Sequence, residues 1–452
     1  MRRAGALLLA LGLAGCAATP PAPEIVARAV VPAILPEMRA FEGPPAPIPL
    51  PSNEEMAQDF MDLTFRMESG ARIPVLTRYE APVRVGLRGE VPTTLDTDLD
   101  ALLARLRGEA GLDIRRARGA ANLVVEIVPL AEMRQMVPQA ACFVVPGVTS
   151  WEEYRRERRA PVTDWTRLRV RERTAVFVPS DIPPQELRDC LHEELAQAVG
   201  PLGDLWRLPG SVFNDDNLQG VLTSTDMVML RATYAPELAS GMTEEQVAAV
   251  LPDLLARLNP RGGPVRPVVA RSGSRAFDRA IEAALAESRE RAVRRAAARR
   301  AARLGRMEGA AAEGFALYAL GRLSVSQDDR GAARAFERAA LLYDADPRTR
   351  VHEAHVGLQR AALALRTGDP AGARAIARWH AEAAGRGQNA ALLSTLRLIE
   401  AEALDLLGRP EEAAEVRSDG LAWARYGFGP EEAVRERLAE IAALAPHGRS
   451  GS

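Results

Sequence analysis

Three stretches near the end of this chain recur at a spacing of 40 residues, and that period constrains the fold more than any other feature. They read Asp329-Arg330-Gly331-Ala332-Ala333-Arg334-Ala335, Asp369-Pro370-Ala371-Gly372-Ala373-Arg374-Ala375 and Arg409-Pro410-Glu411-Glu412-Ala413-Ala414-Glu415. Each sits where one helical pattern stops and the next begins. The segments before them, 361–365 and 401–408, mix small and large apolar residues as helices do when they pack side by side. A helical hairpin of this length cannot bury its own apolar face and must stack on its neighbours. The region 307–444 is therefore expected to be an all-α array of stacked hairpins, with a plain helical bundle as the alternative.

The region 53–258 mixes strand and helix signals and is expected to form a separate α+β unit. Segments 83–87, 123–128 and 175–178 are dense in β-branched residues and predict strands. Between the first two, the leucines of 98–106 have helical spacing. A further helix is predicted around Leu187, Leu191, Leu195 and Ala198, which form one apolar stripe and leave His192, Glu193, Glu194 and Gln197 outside it. Pro260, Gly262, Gly263, Pro264 and Pro267 mark 259–275 as a linker. The next segment, 276–306, predicts one continuous helix bearing Arg289, Arg291, Arg294, Arg295, Arg299, Arg300, Arg303 and Arg306. Such a basic stripe suits anionic headgroups, an acidic partner, or plain solvation of a connecting helix.

Residues 1–15 read as a lipoprotein signal peptide: Arg2 and Arg3, a short apolar run, and Leu13-Ala14-Gly15 before Cys16. The apolar run is too short to span a bilayer as a helix. Cleavage before Cys16 frees its thiol for diacylglycerol, so a lipid-anchored, periplasm-facing envelope protein is expected, and Ala17 matches the outer-membrane sorting pattern. The proline-rich segment 16–52 reads as an extended tether. In an oxidising compartment the remaining pair, Cys142 and Cys190, is expected to form a disulfide; two buried thiols, or a redox or metal role, are the alternatives.

Charge excludes some functions. With 58 basic against 60 acidic residues, the net charge of −2 offers no overall basic field for nucleic acid. All the basic residues are arginine. A chain without lysine has no GxxxxGK[ST] nucleotide loop, no Schiff-base lysine and no Ser-Lys dyad. GxSxG, HExxH, CxxC and an acid-followed GxGxxG are also missing.

The polar cluster at 187–200, followed by Asp204 and by Phe213-Asn214-Asp215-Asp216-Asn217, is the candidate site. A zinc peptidase helix needs two ligands one turn apart and a glutamate beside the first as general base. His192-Glu193 starts that pattern, but Ala196 stands where the second histidine belongs. One residue on, Glu193-Glu194-x-x-Gln197-x-x-Gly200 has the spacing of a metzincin helix with both histidines replaced. Glu194 would be the base, Glu193 and Gln197 oxygen ligands, and the third ligand position falls on Gly203 beside Asp204. Ser240-Gly241-Met242 before a helix at 244–258 is similar to the methionine turn of that clan. Asp215 and Asp216 are a candidate hard-cation pair, or a turn bonding its own backbone. His352 and His355 have no apparent third ligand and read as ordinary helix residues.

The strings DCLHEELAQAVGPLGDLW, SVFNDDN and TDMVMLRATY resemble a proteobacterial lipoprotein family known as domain of unknown function 2927, over about 53–258. That resemblance implies a zincin-like domain and no activity. Residues 307–444 resemble a tetratricopeptide-type array, with a longer period than the usual one. Together these imply an envelope interaction protein that holds a protein partner through its repeats, with no cofactor and no nucleotide. The alternative is a zinc-dependent peptidase or cell-wall hydrolase using Glu194.

Overall fold

The structure, a computed structural model, describes residues 34–67, 69–138, 140–271 and 273–445. The signal peptide 1–15, the lipidation site Cys16 and the first part of the tether lie outside the described residues. The N-terminal region runs α1 (Asn53–Phe65), β1 (Val83–Arg88), α2 (Thr93–Ala110), β2 (Ile114–Arg116), β3 (Leu123–Val128), α3 (Leu130–Met136), β4 (Phe143–Pro146), α4 (Trp151–Glu157), β5 (Thr174–Pro179), α5 (Pro184–Val199), α6 (Ser224–Thr233) and α7 (Glu244–Leu258). The C-terminal region is helical throughout: α8 (Arg275–Leu285), α9 (Arg291–Glu308), α10 (Ala310–Ser324), α11 (Asp329–Asp344), α12 (Arg350–Arg366), α13 (Pro370–Arg386), α14 (Ala390–Leu406), α15 (Pro410–Phe428) and α16 (Glu431–Ala442). No helix among the described residues is long and apolar enough to cross a membrane.

The sheet has the order β2-β1-β3-β5-β4, parallel except for the antiparallel edge strand β4. The central strands β3 and β5 are almost continuously apolar because both their faces are covered. The three strands predicted from β-branched density are β1, β3 and β5. The edge strands β2 and β4 are only three and four residues long, too short to stand out even with Phe143, Val144 and Val145 in β4, and the sheet supplies their pairing. One face of the sheet is filled by Leu99, Leu102, Leu103 and Leu106 of α2 and by Leu187, Leu191 and Leu195 of α5. At about 2 kcal/mol for each buried leucine, this layer is the main stabiliser of the region. Helices α1, α6 and α7 form an adjoining core around Phe60, Met61, Met229, Leu251 and Leu255.

Two segments that read as connectors are docked. Residues 34–52 are extended, as their prolines require, but they run across the helical region: Arg39 N donates to Ala422 O at 2.8 Å and Ala46 N to Arg386 O at 3.1 Å. Phe41 stacks on Trp423 at 4.5 Å between ring centroids. Likewise 259–271 folds back onto α1 and α7, where Ala270 N donates to Glu244 Oε1 at 2.8 Å and Val268 is buried. Proline excludes helix but not docking, since an extended backbone still offers carbonyls and N–H groups to a neighbour.

The continuous basic helix expected over 276–306 is instead two helices broken at 286–290. The break lets α8 fold back on α9 and bury Phe277, Ala280, Ile281 and Ala284, which one straight rod would expose. In the array, consecutive helices pack pairwise, and α8 also touches α10, α12 touches α14 and α14 touches α16. Two of the repeats open on an aspartate cap, 41 residues apart, whereas the third opens on Arg409 with no side-chain cap. Asp328 and Asp369 each accept the N–H of the glycine three residues on, at 2.8 Å.

Candidate functional site

Helix α5 starts at Pro184, whose missing N–H is no loss in a first turn, and ends at Gly200, which closes on Leu230 of α6 too tightly for a side chain. Its leucine stripe faces the sheet as expected. The disulfide Cys142–Cys190, with 6.0 Å between Cα atoms, ties the helix to the start of β4. The residues outside the stripe are not at a solvent face. His192 and Glu194 are buried, and Glu193 and Gln197 are half-buried.

His192 is part of the scaffold. Its Nδ1 accepts the Leu222 N–H at 3.1 Å, and burial holds its pKa well below the usual imidazole value, helped by Arg188 and Arg105. The ring is neutral and latches the loop ahead of α6. The candidate ligand positions meet only in part: Gln197 Nε2 donates to Asp204 Oδ2 at 3.0 Å. Position 203 has no room for a ligand. Gly203 N donates to Leu63 O at 2.9 Å, and a Cβ there would lie 2.6 Å from the Arg66 carbonyl oxygen. Among the described residues no group of three or more His, Cys, Asp and Glu side chains is placed to hold a metal ion. Met242 packs in the core of α1, α6 and α7, and its turn is pinned by the Leu76 N–H, which donates to Met242 O at 2.9 Å.

The acidic string at 215–216 divides. Asp215 is half-buried, whereas Asp216 is buried in a turn that bonds its own backbone. Asp216 N donates to Asn214 Oδ1, and Leu218 N to Asp216 Oδ1, both at 3.0 Å. The remaining Asp216 oxygen reaches His352 Nε2 on α12 at 2.9 Å, and neither side chain has any exposed surface. Sequence reading treated the aspartate and the histidine as unrelated, and no local pattern links positions so far apart.

This contact is one of several that seat the N-terminal region on the array. Trp206 lies between Phe277 and Phe315, at 5.8 and 5.3 Å. From α5, Gln185 Oε1 accepts the Ala390 N–H that opens α14, at 2.9 Å, and the Arg188 guanidinium bonds the Gln388 side chain. Tyr426 donates to Asp98 at 2.7 Å. The helix that carries the candidate chemistry is thus clamped between the sheet and the array.

Near this junction a cavity of about 230 Å³ is lined by Glu55, Asp59, Arg207, Ser211, Thr225 and Arg348, among others. Arg207 bridges Asp59 at 2.6 Å and Asp62 at 2.8 Å. Burial still pushes the Asp59 carboxyl up to about 7. Arg171 is a second charge that no sequence pattern flagged. Buried, it donates to the Gln197 and Ala198 carbonyls at 2.7 and 2.9 Å, stabilising the negative end of α5.

Residues 53–253 match the family described as Protein of unknown function (DUF2927). The match takes in the whole sheet, α5 and most of α7, and stops before the array. No curated protein and no solved structure matches the chain.

Proposed function

We propose that this chain is a lipid-anchored envelope protein, facing the periplasm and sorted to the outer membrane, that works by holding another envelope protein. Its N-terminal region is a zincin-like domain without a hydrolytic centre, and its array is built of tetratricopeptide-like hairpins. The observation that carries the reading is the Gln197–Asp204 hydrogen bond at 3.0 Å. An amide N–H aimed at the carboxylate fills the space where a cation would need oxygens from both groups. The crowding at Gly203 and the use of His192 as a loop latch support the same reading. The order strand, helix, strand, excursion, strand, helix supports the zincin-like architecture, and the pairwise packing of consecutive helices, with contacts between α8 and α10, α12 and α14, and α14 and α16, supports the repeat architecture.

The test is metal content by mass spectrometry on the whole chain, purified without chelators or an oligohistidine tag, beside a pull-down from envelope extract. The expected result is zinc well below one per chain together with a stable protein partner. One zinc per chain, retained in Glu194→Gln, overturns the reading in favour of hydrolysis.

A further inference from the structure

The face of α9 turned away from the array carries Val293, Arg299, Arg300, Arg303, Arg306 and Met307, all exposed, on one side of the helix. The opposite side, Ala298, Ala301, Ala302 and Gly305, is buried against the array. The three other arginines of α9 have structural work: Arg291 donates to the Leu323 carbonyl, Arg294 to Ala284 O and Arg295 to Gln327 Oε1, each at 3.0 Å. The outward ones differ. Arg306 pairs with Glu313 at 3.2 Å, whereas among the described residues no carboxylate forms an ion pair with Arg299, Arg300 or Arg303. A merely solvated face would interleave acids, as α11 does with Glu337 and α13 with Glu382. On α9 the residues between the arginines are alanines apart from Val293, Leu304 and Gly305 and none is acidic, with Val293 at 46 % and Met307 at 87 % exposure near the two ends.

We propose that this face docks the protein on an anionic lipid bilayer. Guanidinium groups with no internal partner complement lipid phosphates, and the two apolar side chains suit insertion just below the headgroups. Leu341 of α11 and Trp379 of α13 are also exposed, at 67 % and 76 %. The proposal rests on the envelope reading only for the encounter with such a surface, not for the contact itself.

The test is vesicle co-sedimentation of the whole chain carrying Cys16→Ser, so that no acyl anchor contributes. It compares phosphatidylglycerol-containing with pure phosphatidylcholine vesicles, and the parent with an Arg299→Gln/Arg300→Gln/Arg303→Gln variant; any leader contribution is common to both chains. The expected result is binding to anionic vesicles only, weakened about 100-fold in the variant at roughly a factor of five per arginine, with an unchanged melting temperature. Binding is also expected to vanish at about 0.5 M salt, where screening is short-ranged. Equal binding by the variant, no preference for anionic lipid, or loss of an acidic protein partner in the variant without any vesicle binding overturns the proposal. Acylation of Cys16, followed separately by palmitate labelling, tests the anchor and is independent of each of these outcomes.

Discussion

Asp216 and His352, 136 positions apart, share a 2.9 Å hydrogen bond in which both side chains are fully buried, and it joins the mixed N-terminal region to the helical array. The same carboxylate organises its own turn through Leu218 N. One aspartate therefore sets both the loop and the docking. Removing the imidazole takes one of two donors from the buried Asp216 oxygen, leaving only the Asn214 amide at 3.0 Å, and opens space in the packing, which costs about 1–3 kcal/mol. His352→Ala is expected to lose that much in chemical denaturation and to separate the unfolding of the two regions into two transitions. A single unshifted transition contradicts this role.

The Cys142–Cys190 disulfide closes a sequence separation of 48 residues around β4, α4 and β5. Replacing both cysteines by serine is expected to lower stability by about 2–5 kcal/mol, the usual range for a native disulfide. Because α2 and β5 pack on the helix independently of the bond, far-ultraviolet circular dichroism at about 25 °C is expected to stay unchanged. Thermal melting with and without reductant measures the difference.

Asp189 gives the junction a pH dependence. Burial pushes its carboxyl up to about 7, against the opposing pull of Arg188 and the Gln185 amide. A carboxyl raised in the folded state above its unfolded value contributes stability that is complete at acid pH and lost as pH rises through about 7. Asp189→Asn keeps an oxygen for the Gln185 amide, which donates to Oδ1 at 2.8 Å. The variant is expected to match the parent near pH 4 and to be more stable on the order of 1–3 kcal/mol near pH 8. Melting curves across that range decide it, and a constant offset at all pH values would falsify the assignment.

Phe41 fastens the N-terminal strap. Its ring stacks on Trp423 at 4.5 Å and takes the Arg188 guanidinium on a face at 5.5 Å. Phe41→Ala is expected to cost about 1–3 kcal/mol and to speed proteolysis within 34–48, while sites inside the array keep their protection. Limited digestion read by mass spectrometry follows both. An unaltered cleavage rate in the strap means that the backbone bonds from Arg39 and Ala46 hold it without the ring.

The central strands, the helical array and the buried stripe of α5 were legible from the chain alone because each is a local rhythm: β-branched runs, a 40-residue period, leucines four apart. The short edge strands β2 and β4 were not: at three and four residues neither run is long enough to define a strand, even with Phe143, Val144 and Val145 in β4, and both are held by their neighbours. The break between α8 and α9 was missed because it contains neither proline nor glycine; only the gain from folding α8 onto α9 explains it.

The candidate site divides the same way. The residues outside the leucine stripe of α5, and the absence of the second histidine, are facts of sequence. What those residues do is tertiary. His192 became a loop latch because Leu222 N reaches it, Gln197 turned to Asp204, and Asp216 found His352 on another region of the chain. By itself the sequence determined which segments are strand, helix or extended, through short-range periodicity and backbone preference. Only the tertiary structure decided which polar groups are buried together, because that depends on long-range packing, and a buried polar group takes whichever partner the packing brings.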